Sequence, residues 1–569
     1  MRIVKLFIPL FLLCLLSPSS WGAAKTVQFQ PLSEVINTSV GSIQSGTTLV
    51  PLITWGADIR TIYANGNSTS TAPDSIFSSA GLQINLKRED IFAKQVENFI
   101  SGKSPYLRGT LGMINMASEV LARDSRTVPI VIYQLSESAG GDALVVKEGI
   151  QNAKDLRGKT VAVQAYGPHV DYLTTILAGA GLSPSDITIR WYPDLTGTDN
   201  TPMAAIYESG VDAAMVIIPD ALALTSGGNV GTGAEDSVKG ARIMLSTKTA
   251  DRVIADVYAV RSDYYKSNKQ NVQQFVHGLM QAQEAVKKIT QNSNSKEYRT
   301  LMRASATLLL DSADAIADTE GLYADANHID FGGNKKFFSD ENYRRNFTNR
   351  NNEIQKAFVN MGLLSKSVTL QNADWDYSQF MRGISATGTV ESPRFDESQV
   401  ASVVARRQQQ GTLREGELFA FEVFFKPNQN SFSYDLYQDA FDKVIDLAAT
   451  YGGAIITVEG HSDPLGYLRK KKDGNSEVVL RQIKQSAKNL SVTRAGVVRD
   501  SIISYAQSKH VSLDKSQFAI VGHGISQPRN GICGNEPCAP KTEQEWRDNM
   551  RVEFRIIQVE AESEIFREL

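Results

Sequence analysis

The sequence is poor in the residues that most often announce chemistry. It has three cysteines and six histidines in 569 residues. His169, His277, His328, His461, His510 and His523 show no metal-type spacing, so no metal site and no cofactor is expected. A nucleophile elbow, a Walker loop and an HExxH helix are all missing, which argues against an enzyme. Charge of one sign is missing too. There are 59 basic and 62 acidic residues, a net charge of −3. No basic field exists to attract nucleic acid. The one long apolar run is at the extreme N-terminus, and mean hydropathy is −0.22, so a multi-span membrane protein is excluded.

What is present points to a folded, exported chain. Hydrophobic residues make up 42% and charged residues 21%, a globular balance. At about 150 residues per folding unit, the length predicts about four units. Arg2 and Lys5 precede an apolar core, Leu6 to Leu16, and a small-residue tail ends near Ala24. Residues 1–24 read as a signal peptide, with an uncleaved anchor as the competing reading. Loss of Arg2 and Lys5 would take the net charge from −3 to −5. Cys14 would leave with the leader, and the mature chain would have no transmembrane segment. Cys533 and Cys538, alone in a Gly/Pro/Asn-rich loop, then predict a loop-pinning disulfide.

Hydropathy patterning divides the remainder. Residues 25–365 form the first unit: 25–45 are polar and turn-rich, and from about 46 to 365 short apolar strands alternate with amphipathic helices, which predicts an α/β architecture with parallel sheets. Expected strands include Leu49–Thr54, Val128–Tyr133, Thr160–Gln164 and Ala213–Ile218. Expected helices include Ile91–Ile100, Val170–Ala180 and Val272–Ile289. Residues 366–414 lack this order and read as a linker holding one polar helix near Asp396–Gln410. Residues 415–569 form a second unit, with strands at Leu418–Phe425 and Ala454–Glu459, a long helix and two further strands.

In the first unit, loops at strand ends are the candidate solute contacts, because open α/β sheets bind ligands there. The run from Asp142 to Val146 and then Ala153 to Val163, followed by Ser209-Gly210-Val211-Asp212-Ala213-Ala214 and Ile217-Ile218-Pro219-Asp220, resembles periplasmic solute-binding proteins of the nitrate/sulfonate/taurine type. That resemblance implies a two-lobed Venus-flytrap domain of type 2, closing on a small molecule, with an ABC permease as a partner. It implies ligand contacts at Trp55, Gly56, Thr110, Gly141, Tyr166, Gly167 and Pro219. Asp58 and Asp142 would disfavour a simple anion if they faced the cleft. Thiamine-precursor synthases share the fold but use a Cys-rich signature. No cysteine lies between 15 and 532, so that enzymatic reading fails.

In the second unit, Gly460-His461-Ser462-Asp463, Asn489-Leu490-Ser491 with Arg494-Ala495, Gly522-His523-Gly524 and Asn549-Met550-Arg551-Val552-Glu553 occur in order. This set resembles the α+β OmpA-like peptidoglycan-binding domain, although Asn489 is adjacent to Leu490 where the family separates the two by two residues. The connection from Asp463 to Arg494 is also longer than usual and carries a basic run, Arg469-Lys470-Lys471-Lys472. The chemistry is direct. Diaminopimelate presents an ammonium and a carboxylate on one carbon, so Asp463 would accept the ammonium and Arg494 would grip the carboxylate. Asn489 and Arg551 are supporting candidates. A structural Asp463–Arg494 ion pair is the competing reading. Peptidoglycan attachment would hold the protein in the periplasm at the cell wall, beside the outer membrane. An envelope assembly protein whose first unit binds a protein partner is the other reading kept open.

Overall fold

The computed structural model describes residues 24–234, 236–384, 395–413, 416–534 and 536–558. Almost all of the expected leader, and parts of the expected linker, lie outside these residues.

The first lobe contains β1 (Thr48–Leu52), β2 (Ile84–Arg88), β3 (Tyr106–Thr110) and β4 (Pro129–Ser138). The helix α1 (Leu111–Met116) follows β3 directly. The chain then crosses to a second lobe built on β5 (Asp142–Val146), β6 (Thr160–Gln164), β7 (Thr188–Tyr192), β8 (Ala213–Ile217) and β9 (Arg242–Ser246), with α2 (His169–Gly179) after β6. It returns through β10 (Ala255–Arg261), with β11 (Ala326–His328) and β12 (Gln371–Asn372) later at the first lobe's edge.

The second-lobe sheet runs β7-β6-β8-β5-β9, and the first-lobe sheet runs β11-β4-β10-β3 with β1-β2 alongside. In both lobes the strand that arrives from the other lobe lies inside the sheet, β5 between β8 and β9 and β10 between β4 and β3. Those strands, β5 and β10, are antiparallel to their neighbours. The expectation of parallel sheets is corrected here: a strand entering from the opposite lobe arrives at the far end of the sheet and runs back along it. The gap between β1 and β3 also has a cause. Pro51 has no amide hydrogen on the side that faces β3. The hydroxyls of Ser104 and Tyr258 instead donate to the carbonyls of Leu49 and Pro51, at 2.9 and 3.0 Å.

The two crossings are tied together by one side chain. Thr247 Oγ1 accepts from the amides of Gly140 and Asp142 at 3.0 and 3.1 Å and lies 2.8 Å from Ser138 Oγ.

The segment expected to be a linker contributes α3 (Glu397–Gln410) to the C-terminal unit. Val400, Val403 and Val404 of α3 share a buried cluster with Ile455, Ala519 and Ile557. That unit contains β13 (Glu417–Phe424), α4 (Gln438–Thr450), β14 (Ile455–His461), α5 (Leu465–Lys472), α6 (Glu477–Ser508), β15 (Phe518–Gly524), a hairpin of β16 (Ile532–Cys533) and β17 (Glu536–Pro537), and β18 (Arg551–Ile557). The sheet order is β13-β18-β14-β15, with β14 and β15 parallel. Side chains alternate across it. Val552, Phe554 and Ile556 face α4 and α6. Arg551, Glu553 and Arg555 face the other way, toward the side covered in part by α3.

The C-terminal unit docks on the crossing of the lobes. The Gly453 amide donates to the Thr249 carbonyl at 3.1 Å, and Arg344 pairs with Asp446 at 2.6 Å. Tyr451, only 2% exposed, enters a crevice beside Ile176, Gly179 and Leu245 of the second lobe. Among the described residues, no helix is long and apolar enough to cross a membrane.

Candidate functional site

The interlobe face is built from the loops at strand ends. Gly56 follows β1 and opens a short 3-10 turn; a Cβ there would sit 2.0 Å from the Leu322 carbonyl oxygen, so only glycine fits. Half-buried Trp55 donates from Nε1 to Ser136 Oγ at 3.0 Å, and its ring lies against Gly141, where a Cβ would come within 2.6 Å of it. Thr110, buried, caps α1 by accepting from the Met113 amide at 3.1 Å. Trp55, Gly56, Thr110 and Gly141 thus share one region.

The other three candidates lie on the second lobe, and the Ile218 amide, beside Pro219, donates to the Gly141 carbonyl at 2.8 Å. Tyr166 has a left-handed φ of 61°, donates its hydroxyl to the Gln30 carbonyl at 2.6 Å, and packs its ring 5.0 Å from Phe29. The N-terminal segment, bridged to β7 through Val27 and Trp191, therefore covers it. Gly167 is buried, and a Cβ on it would meet Gln164 Oε1 at 2.1 Å. Pro219 is exposed in the first turn of the helix Ile218–Leu224.

Acidic groups near the cleft are engaged internally. Arg108 Nη2 pairs with Asp58 at 2.7 Å and Nη1 with Asp256 at 2.9 Å, all three buried. Burial pushes the Asp58 carboxyl up to about 6, with Arg108 opposing. Asp142 accepts from Ser138 at 2.6 Å and lies 2.7 Å from His169 Nε2. Asp171, in the first turn of α2, was not singled out in the sequence. It is 2% exposed, has no side-chain hydrogen-bond partner, only the backbone amides of its own helix turn, and presses on Gly112 of α1 across the lobes. Burial raises it to about 7, against the opposing charge of Arg350. The lobes are thus in contact along the cleft.

In the C-terminal unit, close packing positions the second candidate site. A Cβ on Gly460 would lie 1.9 Å from the Ser491 carbonyl, and one on Gly522 would lie 2.4 Å from Val492. These glycines let α6 rest directly on β14 and β15, which brings Arg494 over the end of β14. Its guanidinium donates to three backbone carbonyls, Gln429 at 2.9 Å, Lys426 at 3.2 Å and His461 at 3.4 Å, and stacks over Phe425. Burial lowers Arg494 to about 10, and the nearby Asp463 charge opposes this. Asp463 is half-buried, accepts from the Leu465 amide at 2.8 Å and makes no direct ion pair with Arg494. The two charges are therefore neighbours held separately, each by backbone.

Asn489 is exposed on α6 and accepts from Gln485 at 2.8 Å. Arg551 lies across the sheet from Arg494, bound to Glu553 Oε1 at 2.8 and 2.5 Å. The strand period separates it from the Asp463 and Arg494 pair. Arg469 to Lys472 form the exposed last turn of α5, where cations complement the helix dipole. Cys533 and Cys538 are disulfide-bonded, with Cα atoms 5.6 Å apart.

Sequence spacing concealed one cluster. Glu459, His461 and His523 are all buried, and their donor atoms lie within 4.8 Å of one another. The residues come from β14 and β15, so only the strand register joins them.

Comparison with known proteins falls on the first unit. Residues 76–291 match the NMT1/THI5-like family. A taurine-binding periplasmic protein of Escherichia coli (strain K12) is 26% identical over 215 residues, covering 37% of this chain and 60% of the relative. The match thus spans less than two thirds of that relative's length. The aliphatic sulphonate binding protein SsuA from Escherichia coli aligns with a TM-score of 0.41 at 16% identity, over 57% of this chain and 96% of that one. The desulfurization enzyme DSZB aligns with a TM-score of 0.38 at 16% identity, over 59% and 99%. The NMT1/THI5-like segment falls on strands of both lobes and both crossings between them.

Proposed function

We propose that the protein is an exported, periplasmic solute-binding protein held at the cell wall. The two-lobed part captures a small molecule, of the organosulfonate class bound by its taurine-binding relative, for an ABC permease. The match of residues 76–291, laid over two lobes joined at Thr247, supports capture. The C-terminal unit binds the diaminopimelate of peptidoglycan. The observation that carries this part is a buried guanidinium, Arg494, held only by carbonyls beside the unpaired carboxylate of Asp463. A zwitterion placed there meets both charges, and the Lys426–Gln429 loop releases two carbonyls as a ligand carboxylate takes their place.

The test is a pull-down of the full chain on purified sacculi, with free diaminopimelate as competitor. Asp463→Ala and Arg494→Ala should each weaken binding by about 2–5 kcal/mol, because either change leaves one charge unpaired against the ligand. Folded variants that sediment like the parent would refute the site. For the first unit, taurine and alkanesulfonates at about 100 times Kd should stabilise by about 2.7 kcal/mol.

A second reading is an envelope assembly protein whose first unit binds a protein. It is favoured by the self-filled cleft, where Trp55 meets Gly141 and Asp171 meets Gly112. No melting shift with any small solute, in protein free of bound molecules, would select it.

A further inference from the structure

The outer face of the C-terminal sheet carries a polar stripe that wall binding does not use. Alternation along β14 points Glu459 and His461 away from α6, and the parallel register with β15 sets His523 beside them. The two imidazoles stack with centroids 4.6 Å apart. His461 Nδ1 donates to the Gln527 carbonyl at 3.0 Å, which fixes the tautomer and leaves a lone pair on Nε2. That Nε2 is buried without a hydrogen-bond partner. His523 Nε2 lies 3.0 Å from Glu459 Oε2, and Gln408 of α3 lies 3.2 Å from His523 Nδ1. A cavity of about 440 Å³, bounded by Gln408, Gln527 and Arg551, opens on all three residues.

We propose that Glu459, His461 and His523 form a binding site for one divalent transition metal of the zinc class, with its remaining position open to the cavity. Two imidazoles and a carboxylate with one open position is a recurring zinc donor set. The supporting shell is already present. Gln527 holds His461, Gln408 holds His523, and Arg555 donates to the other oxygen of Glu459 at 3.0 Å. The face is not dominated by cations: Glu417, Glu422, Glu459 and Glu553 outnumber Arg529, Arg551 and Arg555, and the arginines are paired with those acids. Ligation at about 2.0–2.2 Å requires the donors to draw together by about 1 Å. It also requires the His523 proton to move from Nε2 to Nδ1, where the Gln408 amide oxygen accepts it after a flip. No net proton is released. The absence of metal-type spacing in the sequence does not count against the site, because its ligands are brought together by strand pairing.

The experiment uses the untagged full chain, stripped by chelator and titrated with Zn²⁺ by calorimetry and with Co²⁺ by visible absorption. One equivalent should bind, with Co²⁺ d–d bands of a low-coordinate nitrogen and oxygen site. His461→Gln and His523→Gln should each lose more than the ~10–100-fold that removal of an outer-shell partner costs. Asp463→Ala should leave metal affinity unchanged, which separates this site from the wall site. X-ray absorption of the Zn²⁺-loaded parent should show two imidazoles and needs no variant to fold. A parent chain that takes up no metal, or a coordination shell of oxygen alone, overturns the proposal.

Discussion

Asp171→Asn tests the electrostatics of the closed lobes. Asp171 is buried against Gly112, with Arg350 and His169 as the charged or titratable groups facing it. Its carboxyl titrates near 3.8 in the unfolded chain and at about 7 in the folded one. Between those values the folded state holds a proton that the unfolded state has lost, so stability falls as pH rises from about 4 to about 7. A displacement of about 3 pH units corresponds to about 4 kcal/mol, present below pH ~4 and lost above pH ~7. The amide removes the charge but leaves polar atoms unsatisfied in the same pocket, at a cost of about 1–3 kcal/mol. The net expectation at pH 8 is stabilisation by about 1–3 kcal/mol. At pH 5 the parent is already neutral at this position, and the variant should be equal or less stable. Scanning calorimetry at pH 5, 6, 7 and 8 reads the crossover in the transition of the two-lobed part. An Asn variant that is less stable than the parent at pH 8, or that keeps the parent's pH slope, would show that Asp171 is solvated or paired and the reasoning is wrong.

Three further outcomes are expected. Gly56→Ala puts a Cβ 2.0 Å from the Leu322 carbonyl and should destabilise the first lobe by about 1–3 kcal/mol or more, read by denaturant unfolding. Gly453→Ala puts a Cβ 1.8 Å from the Lys248 carbonyl and should part the docked unit from the lobes, read as faster amide exchange at residues 248–252. Periplasmic protein should carry no alkylatable thiol until reduced, and mass spectrometry should find its N-terminus near Lys25.

Much of the architecture was legible because buried strands are short and continuously apolar. Thr160–Gln164 reads as a strand in sequence and is β6, and the periodic stretch Val272–Ile289 lies within the helix Lys269–Thr290. β3, Tyr-Leu-Arg-Gly-Thr, was not legible. It carries a buried arginine whose charge is answered only by Asp58 and Asp256, far away in sequence. The α3 segment looked like linker because three valines alone face the sheet and the rest of its surface is polar. At the candidate sites, the Asp463 and Arg494 neighbourhood follows from a motif, whereas the histidine pair depends on register across 62 positions. The resemblance to solute-binding proteins implies Tyr166 as a ligand contact on the turn after β6. The turn exists, but the ring it presents meets Phe29, which no local pattern encodes.

The seat of the C-terminal unit has a mechanical consequence. Residues 248–253 form the return path between lobes, and Gly453 is bonded to Thr249 within that path while Tyr451 reaches the second lobe and Asp446 the first. A rotation that parts the lobes cannot leave all three attachments intact. One must slide, or the whole unit must swing with the strand that carries it. A small twist at the pivot is then magnified along α6, whose 32 residues act as a lever. Tension applied at the far end of that lever would travel back along it and bias the gape of the lobes.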